Sequence, residues 1–309
     1  MMRTASGLSL TCAFALLALT LCGAQAQAQR IAAPARRALR HASVRCDDAA
    51  RCPAAVGMVA TLWERFDPGA DALIHHVNRC TGTLVAANLV LTNRHCLPPE
   101  ILQDRESAAP RVVVTFPASG EQPAETLRVA AIATLSAEPA IPYLHVSDYA
   151  LLRLARRSRR TPMSTTSAGP VMGATYAVFS ITPVGSGILA NEGLLVVSTV
   201  EAIDHAPHQP SFAAWPLLFG IDHASIRIGH SGSPVVDAAN AIVGLIYGVP
   251  FPPSMSATAA ATVTFEQGYA MNLACIRLPG VASGDAQQPA GCSNYGAEDV
   301  LTLRGLAGE

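Results

Sequence analysis

A chain of 309 residues that is 50% apolar can bury a sizeable core, and a net charge of −1 leaves it without the concentrated basic surface that a nucleic acid or an anionic membrane would need. That apolar share is ordinary for a globular protein. Every basic residue other than histidine is Arg, which we read as the coding bias of a GC-rich bacterial genome and not as a functional signal.

Arg3 precedes an apolar stretch from Leu8 to Leu21 that ends in Gly23, Ala24, Gln25 and Ala26. That stretch is short for a bilayer span and runs into small residues, so residues 1–26 read as a cleavable secretory signal. The expectation is a protein that is secreted or periplasmic and has no stable membrane insertion once the signal is removed. Residues 27–53 carry Arg30, Arg36, Arg37, Arg40, Arg45 and Arg51 without an apolar face, and read as a leader or a removable pro-segment.

Cys12 and Cys22 would leave with the signal, and Cys46, Cys52, Cys80, Cys96, Cys275 and Cys292 would remain. An even number in an exported chain points to disulfides. Pairing of neighbours (Cys46 with Cys52, Cys80 with Cys96, Cys275 with Cys292) is the simplest of the possible connectivities. A zinc site is the competing reading, but neither C-x-x-C nor H-E-x-x-H spacing occurs, so no metal is expected.

Strand-length apolar runs follow at Val56 to Leu62, Gly82 to Val85, Leu89 to Thr92, Val112 to Phe116, Leu127 to Ile132 and Tyr149 to Leu154. A second set lies at Thr175 to Ile181, Gly193 to Val200, Pro234 to Val236, Ala241 to Tyr247, Thr262 to Thr264 and Tyr269 to Leu273. Between them, residues 156–170 hold an Arg-rich run and a Thr/Ser/Gly/Pro cluster, which reads as an exposed linker. The fold expected is all-β: two six-stranded antiparallel Greek-key barrels, at 54–155 and 171–280, with an active site in the cleft between them. Residues 281–309 form a tail, with a short helix expected near Asp299 to Leu306.

Three segments carry chemistry. Cys80-Thr81-Gly82-Thr83-Leu84-Val85 and Val90-Leu91-Thr92-Asn93-Arg94-His95-Cys96 put a histidine at a strand end beside a cysteine that can pair back to Cys80. Closing a loop of that length contributes roughly 3 kcal/mol in the chain-entropy model, enough to matter where one imidazole orientation must be held. Asp148 heads the apolar run that starts at Tyr149, so its carboxylate would be partly buried and would need a donor, such as a histidine ring N–H. In Ile228-Gly229-His230-Ser231-Gly232-Ser233-Pro234, glycines flank a serine just ahead of a strand. Gly229 at positive φ would let its N–H and that of Ser231 converge on one oxygen.

With these segments in this order, the sequence resembles the chymotrypsin-like, or trypsin-fold, serine peptidases, in particular bacterial members with a Ser-Gly-Ser-Pro run starting at the nucleophile. The resemblance implies His95 as general base, Asp148 as its orienting carboxylate, Ser231 as nucleophile, and the N–H groups of Gly229 and Ser231 as the oxyanion hole. The lipase and esterase turn is excluded, because there the histidine follows the serine and no histidine follows His230 here. Carried over from Ser231, the specificity pocket would have its base near Ser225, with Ile226 and Ile228 nearby and Ile246, Tyr247, Gly248 and Gly268 as walls. None is charged, so apolar or small side chains are the expected preference.

The chain departs from the family's animal digestive members in placing His230 where they have an aspartate, and in showing no Ile-Val-Gly-Gly start near Val56. The oxyanion loop should then be held by local hydrogen bonds, with His230 reading as a loop side chain. The overall expectation is a monomeric secreted serine endopeptidase acting on protein or peptide substrates without a cofactor. The alternative is a catalytically inactive binding module on the same fold.

Overall fold

The computed structural model describes residues 43–48, 51–103, 111–136, 148–184, 193–204, 218–222, 224–249, 263–276, 278 and 300–302. The segment read as a signal, most of the leader, and Cys292 with the third expected cysteine pair therefore lie outside the described residues. Among those described, no helix is long and apolar enough to cross a membrane.

The strands are β1 (Val44–Arg45), β2 (Val56–Asp67), β3 (Ala72–Ala86), β4 (Leu89–Thr92), β5 (Val112–Phe116), β6 (Glu125–Ser136), β7 (Ala150–Leu154), β8 (Thr175–Pro183), β9 (Gly193–Ile203), β10 (Leu218–Asp222), β11 (Pro234–Val236), β12 (Ile242–Gly248), β13 (Gly268–Asn272) and β14 (Val300–Thr302). In the first sheet the order β6-β5-β2-β3-β4-β7 closes through a β6–β7 pairing, and in the second β9-β10-β13-β12-β11-β8 closes through β8–β9. Each is a six-stranded antiparallel barrel. In each, a fourth strand returns beside the first of a three-strand meander (β5 beside β2, β11 beside β8), which is the Greek-key arrangement. Closure removes the open edges that an all-β protein must otherwise protect.

Period-two alternation sends successive side chains of a strand into different cores. On β8, Tyr176 and Val178 enter the core of the second barrel with Phe219, Ile221 and Val235. Phe179 and Ile181 on the same strand join the larger cluster, which fills the first barrel and runs out to Leu245 and Met271 of the second. β12 contributes to both clusters, and its run from Ile242 to Ile246 carries no polar side chain, because neither face there meets water.

Several elements differ from the sequence expectation. The sixth strand of the second barrel is β10, not Thr262 to Thr264. Gly220 makes Leu218–Asp222 look like a turn, but pairing on both sides with β9 and β13 holds it extended. After it, the described residues near Thr264 form an isolated bridge, Phe265 with Ile226. The expected tail helix is replaced over Val300–Thr302 by β14, which pairs with Thr134 to Ser136 of β6. β2 and β3 run far beyond their predicted ends as a hairpin paired from Val56 with Thr83 out to Asp67 with Ala72. β1 lies ahead of the first barrel in sequence yet pairs with Val196 and Val197 of the second.

The Arg-rich stretch after β7 is not wholly solvated. Buried Glu125 accepts hydrogen bonds from Arg156 at 3.0 Å, Ser158 Oγ at 2.7 Å and the Arg159 N–H at 3.2 Å. Burial alone would raise the Glu125 pKa, but these donors together hold it below the ordinary carboxylate value. Arg160 is only 3% exposed and donates to the carbonyls of Pro117 and Pro123 and to Gln122 Oε1. One side chain thus fastens the crossing segment to the β5–β6 turn. Arg160→Ala is expected to lower stability by about 2–3 kcal/mol, because it removes a buried guanidinium together with its three hydrogen bonds, while Arg157→Ala at an exposed position should stay within about 0.5 kcal/mol. Denaturant midpoints of the two variants check this.

Candidate active site

The disulfide between Cys80 on β3 and Cys96 is formed, as is that between Cys46 and Cys52. Two of the three neighbouring pairs are therefore present. The Cys80–Cys96 bridge ties a 3₁₀ turn at Arg94–Cys96 to β3, and His95 rides on that turn directly after β4. Asn93, fully buried ahead of it, donates its side-chain amide to the Asp148 carbonyl at 2.8 Å. Arg94 donates to the Ser136 carbonyl. The backbone under the imidazole is fixed on both sides.

Asp148 is 2% exposed at the head of β7. Its Oδ1 accepts the His95 backbone N–H at 2.9 Å and its Oδ2 lies 2.5 Å from His95 Nδ1. A buried carboxylate without donors would be costly, and here one residue supplies two. Burial pulls the His95 pKa down, but the Asp148 charge and hydrogen bond outweigh it, and the net shift is upward from the ordinary 6.5. With Nδ1–H donating to Asp148, Nε2 is the ring nitrogen left to act as a base. The His95 side chain is 39% exposed.

The serine segment is held against the same strands. The Ser231 carbonyl accepts the Thr81 N–H at 2.8 Å. The Gly232 N–H donates to the Ile246 carbonyl at 2.9 Å, and the Ile246 N–H donates to the Ser233 carbonyl at 2.8 Å. Gly232 has φ +80°, and a Cβ there would fall 2.2 Å from the Thr81 carbonyl and 2.5 Å from Thr92 Oγ1. Only glycine fits this contact, and it brings the half-buried Ser231 beside the β3–β4 pair that leads into His95. Across the cleft Tyr247 sets its ring perpendicular to that of His95, with centroids 6.2 Å apart. The Asp148 N–H donates to Met271 Sδ at 3.4 Å. Histidine, aspartate and serine segments from three places in the sequence thus meet at one seam between the barrels.

The carried-over pocket residues separate into two groups. Ile226, Gly248 and Gly268 converge: a Cβ on Gly268 would fall 2.5 Å from Ile226 Cδ1 and 2.8 Å from the Gly248 carbonyl. Ser225 is buried, its carbonyl accepting Ser43 Oγ at 3.2 Å. Ile246 does not offer its side chain to a pocket, because it is fully buried in the core of the second barrel. Ile228 stands 49% exposed at a turn, and Tyr247 faces His95.

His230 lies in a loop, as read from the sequence, but its side chain is turned inward. It is 3% exposed, and burial, followed by the nearby Arg227 charge, lowers its pKa to about 4. Sequence reasoning also passed over Thr81, Asn93 and Met271. The only signal for Thr81 and Asn93 was that each lies within two residues of Cys80 or His95. Met271 carried none. Among the described residues one grouping has metal-ligating side chains in reach of one another, Cys80, His95 and Cys96, and its two sulfurs are joined as the disulfide.

A trypsin-like peptidase domain matches residues 80–245. No curated protein matches the chain. Among solved structures, a scabies mite inactivated protease paralogue, S-D1, is 11% identical and covers 75% of this chain and 91% of its own, with a TM-score of 0.49. Neuropsin, a serine protease expressed in the limbic system of mouse brain, is 17% identical over 75% of this chain and 94% of its own, also with a TM-score of 0.49. Neither likeness bears on activity. The domain match spans more than half of the sequence and takes in the His95, Asp148 and Ser231 segments, and on that ground the chain belongs to the trypsin-like peptidase family.

Proposed function

We propose that the protein is an exported serine endopeptidase in which His95, Asp148 and Ser231 form the catalytic triad. The observation that carries the reading is the double contact of Asp148 with His95, through the ring at 2.5 Å and the backbone N–H at 2.9 Å, beside a serine turn pinned to Thr81. The two disulfides fit an oxidising compartment outside the cytoplasm.

In the reaction, Ser231 Oγ attacks the peptide carbonyl carbon as His95 Nε2 takes its proton. The negative charge formed on the carbonyl oxygen is stabilised by the N–H groups of Gly229 and Ser231. Asp148 steadies the imidazolium by charge while remaining ionised. The C–N bond then breaks as His95 Nε2 returns the proton to the leaving amine, leaving Ser231 acylated. Water, deprotonated by the same nitrogen, attacks the acyl carbon and releases the carboxylic acid and the free serine. The protonated state of His95 is inactive as a base, so the rate rises with pH through the His95 pKa.

A fluorophosphonate probe should label the wild-type protein and fail on Ser231→Ala; equal labelling of both would end this reading. In pH–rate profiles of kcat/KM, the acid limb of the wild type should lie above the ordinary histidine value of 6.5, because Asp148 raises the His95 pKa. Asp148→Asn should move that limb to lower pH and reduce kcat by about 10⁴-fold, since both the charge and the tautomer control are lost.

Ile226 Cδ1 and the Gly248 carbonyl both pack close against Gly268, which supports a shallow, uncharged pocket and a substrate with a small or apolar residue ahead of the cut bond. Ile226→Ala should shift the preferred residue toward larger apolar side chains in a peptide-library digest. An unchanged profile would show that Ile226 does not bound the pocket.

A further inference from the structure

Residues 227–233 form two consecutive turns that share His230 as their corner. The His230 N–H donates to the Arg227 carbonyl at 3.0 Å, closing the first over Ile228 and Gly229. The Ser233 N–H donates to the His230 carbonyl at 3.0 Å, closing the second over Ser231 and Gly232. Gly229 and Gly232 occupy the third position of their turns, with φ of +96° and +80°. Positive φ at that position defines a type II turn; in type I the same residue has φ near −90°. The two types differ by a flip of the central peptide plane. In the first turn that plane joins Ile228 to Gly229, and its N–H is the Gly229 N–H assigned above to the oxyanion hole. The turn type therefore decides whether that donor faces the cleft or turns away.

The His230 ring closes the first turn a second time. Its Nδ1 accepts the Arg227 N–H at 3.3 Å, so residues 227 and 230 are joined by reciprocal bonds, one through the backbone and one through the imidazole. An Nδ1 that accepts carries no proton, so the ring proton resides on Nε2, which donates to Thr182 Oγ1 on β8 at 3.3 Å. Next along the chain, the Gly229 carbonyl accepts Thr81 Oγ1–H at 3.3 Å, and Thr81 Oγ1 in turn accepts the Ile181 N–H at 3.0 Å. The Arg227 guanidinium reaches Thr264 Oγ1 at 3.0 Å. His230 thus spans the turn and strand β8 with both ring nitrogens engaged.

Resting on the endopeptidase reading, we propose that His230 is a positioning residue: its neutral Nε2–H tautomer clamps Arg227 and holds the turn in the form that aims the Gly229 N–H into the oxyanion hole. No newly cut amino terminus is required for this. Burial and Arg227 keep the ring neutral down to about pH 4, so the acceptor at Nδ1 persists through the neutral range.

The test compares His230→Asn with His230→Leu. Asparagine keeps an acceptor at the Nδ1 position through Oδ1, and its kcat should stay within about tenfold of wild type. Leucine keeps bulk without an acceptor, and its kcat should fall about 10²–10³-fold, the cost of losing one oxyanion donor, with KM little changed. Wild-type kcat in His230→Leu overturns the proposal, as does a matching loss in both variants. Should His230→Leu fail to fold, ring ¹⁵N shifts of the wild type decide, with the His230 signal assigned by its absence from the asparagine variant. An unprotonated Nδ1 persisting to about pH 4 supports the clamp, and an Nδ1–H ring or titration near 6.5 overturns it. A wild-type protein unlabelled by fluorophosphonate would overturn the endopeptidase reading instead, while the ring tautomer would still decide the clamp.

Discussion

A carboxylate buried to 2% exposure organises the site, because a charge in that position must be surrounded by donors or lose its ionisation. Asp148 obtains both from His95, and the requirement propagates outward. For the His95 backbone N–H and ring to reach the same carboxylate, the turn after β4 must be held in one shape. The Cys80–Cys96 disulfide, the Asn93 bond to the Asp148 carbonyl and the Arg94 bond to the Ser136 carbonyl supply that shape. The imidazole is rigid because its base is overdetermined, and the His95 side chain stays partly exposed.

The same logic of fixed backbone governs the serine side, with different means. There the chain turns twice within seven residues, and each turn uses a glycine at positive φ where a side chain would be strained. Thr81 serves both halves: its N–H meets the Ser231 carbonyl, its hydroxyl meets the Gly229 carbonyl, and its own carbonyl takes the Thr92 hydroxyl. A single threonine on β3 thereby couples the strand pair that presents the histidine to the loop that presents the serine. The two barrels are not merely adjacent at this seam. They share hydrogen bonds through it, and their apolar cluster is continuous across it from Leu91 to Met271.

Against that structure, much of the sequence was legible because of local rules. Alternating and continuous apolar runs mark most strands, and a histidine between a strand end and a cysteine marks a constrained loop. What misled was local chemistry overruled by pairing. Gly220 hides β10, since the partners that keep it extended come from residues before and after it in the chain. The Arg run after β7 looked solvated, yet Glu125 and the carbonyls of Pro117 and Pro123 receive part of it. His230 read only as a loop side chain. Its Nε2 bonds Thr182, 48 positions earlier, a partner that no window around residue 230 contains.

The sequence by itself determined the residue types and their order along the chain, and its three motif segments carry the resemblance to the trypsin-like peptidases. Only the tertiary structure decided which nitrogen of His95 faces Asp148, that Thr81 bridges the histidine and serine segments, and that Ile226 packs against Gly268 beside the Gly248 carbonyl. Local sequence sets the backbone's preferences, whereas side-chain roles of this kind arise where strands distant in the chain are brought within hydrogen-bonding distance by burial of a common core.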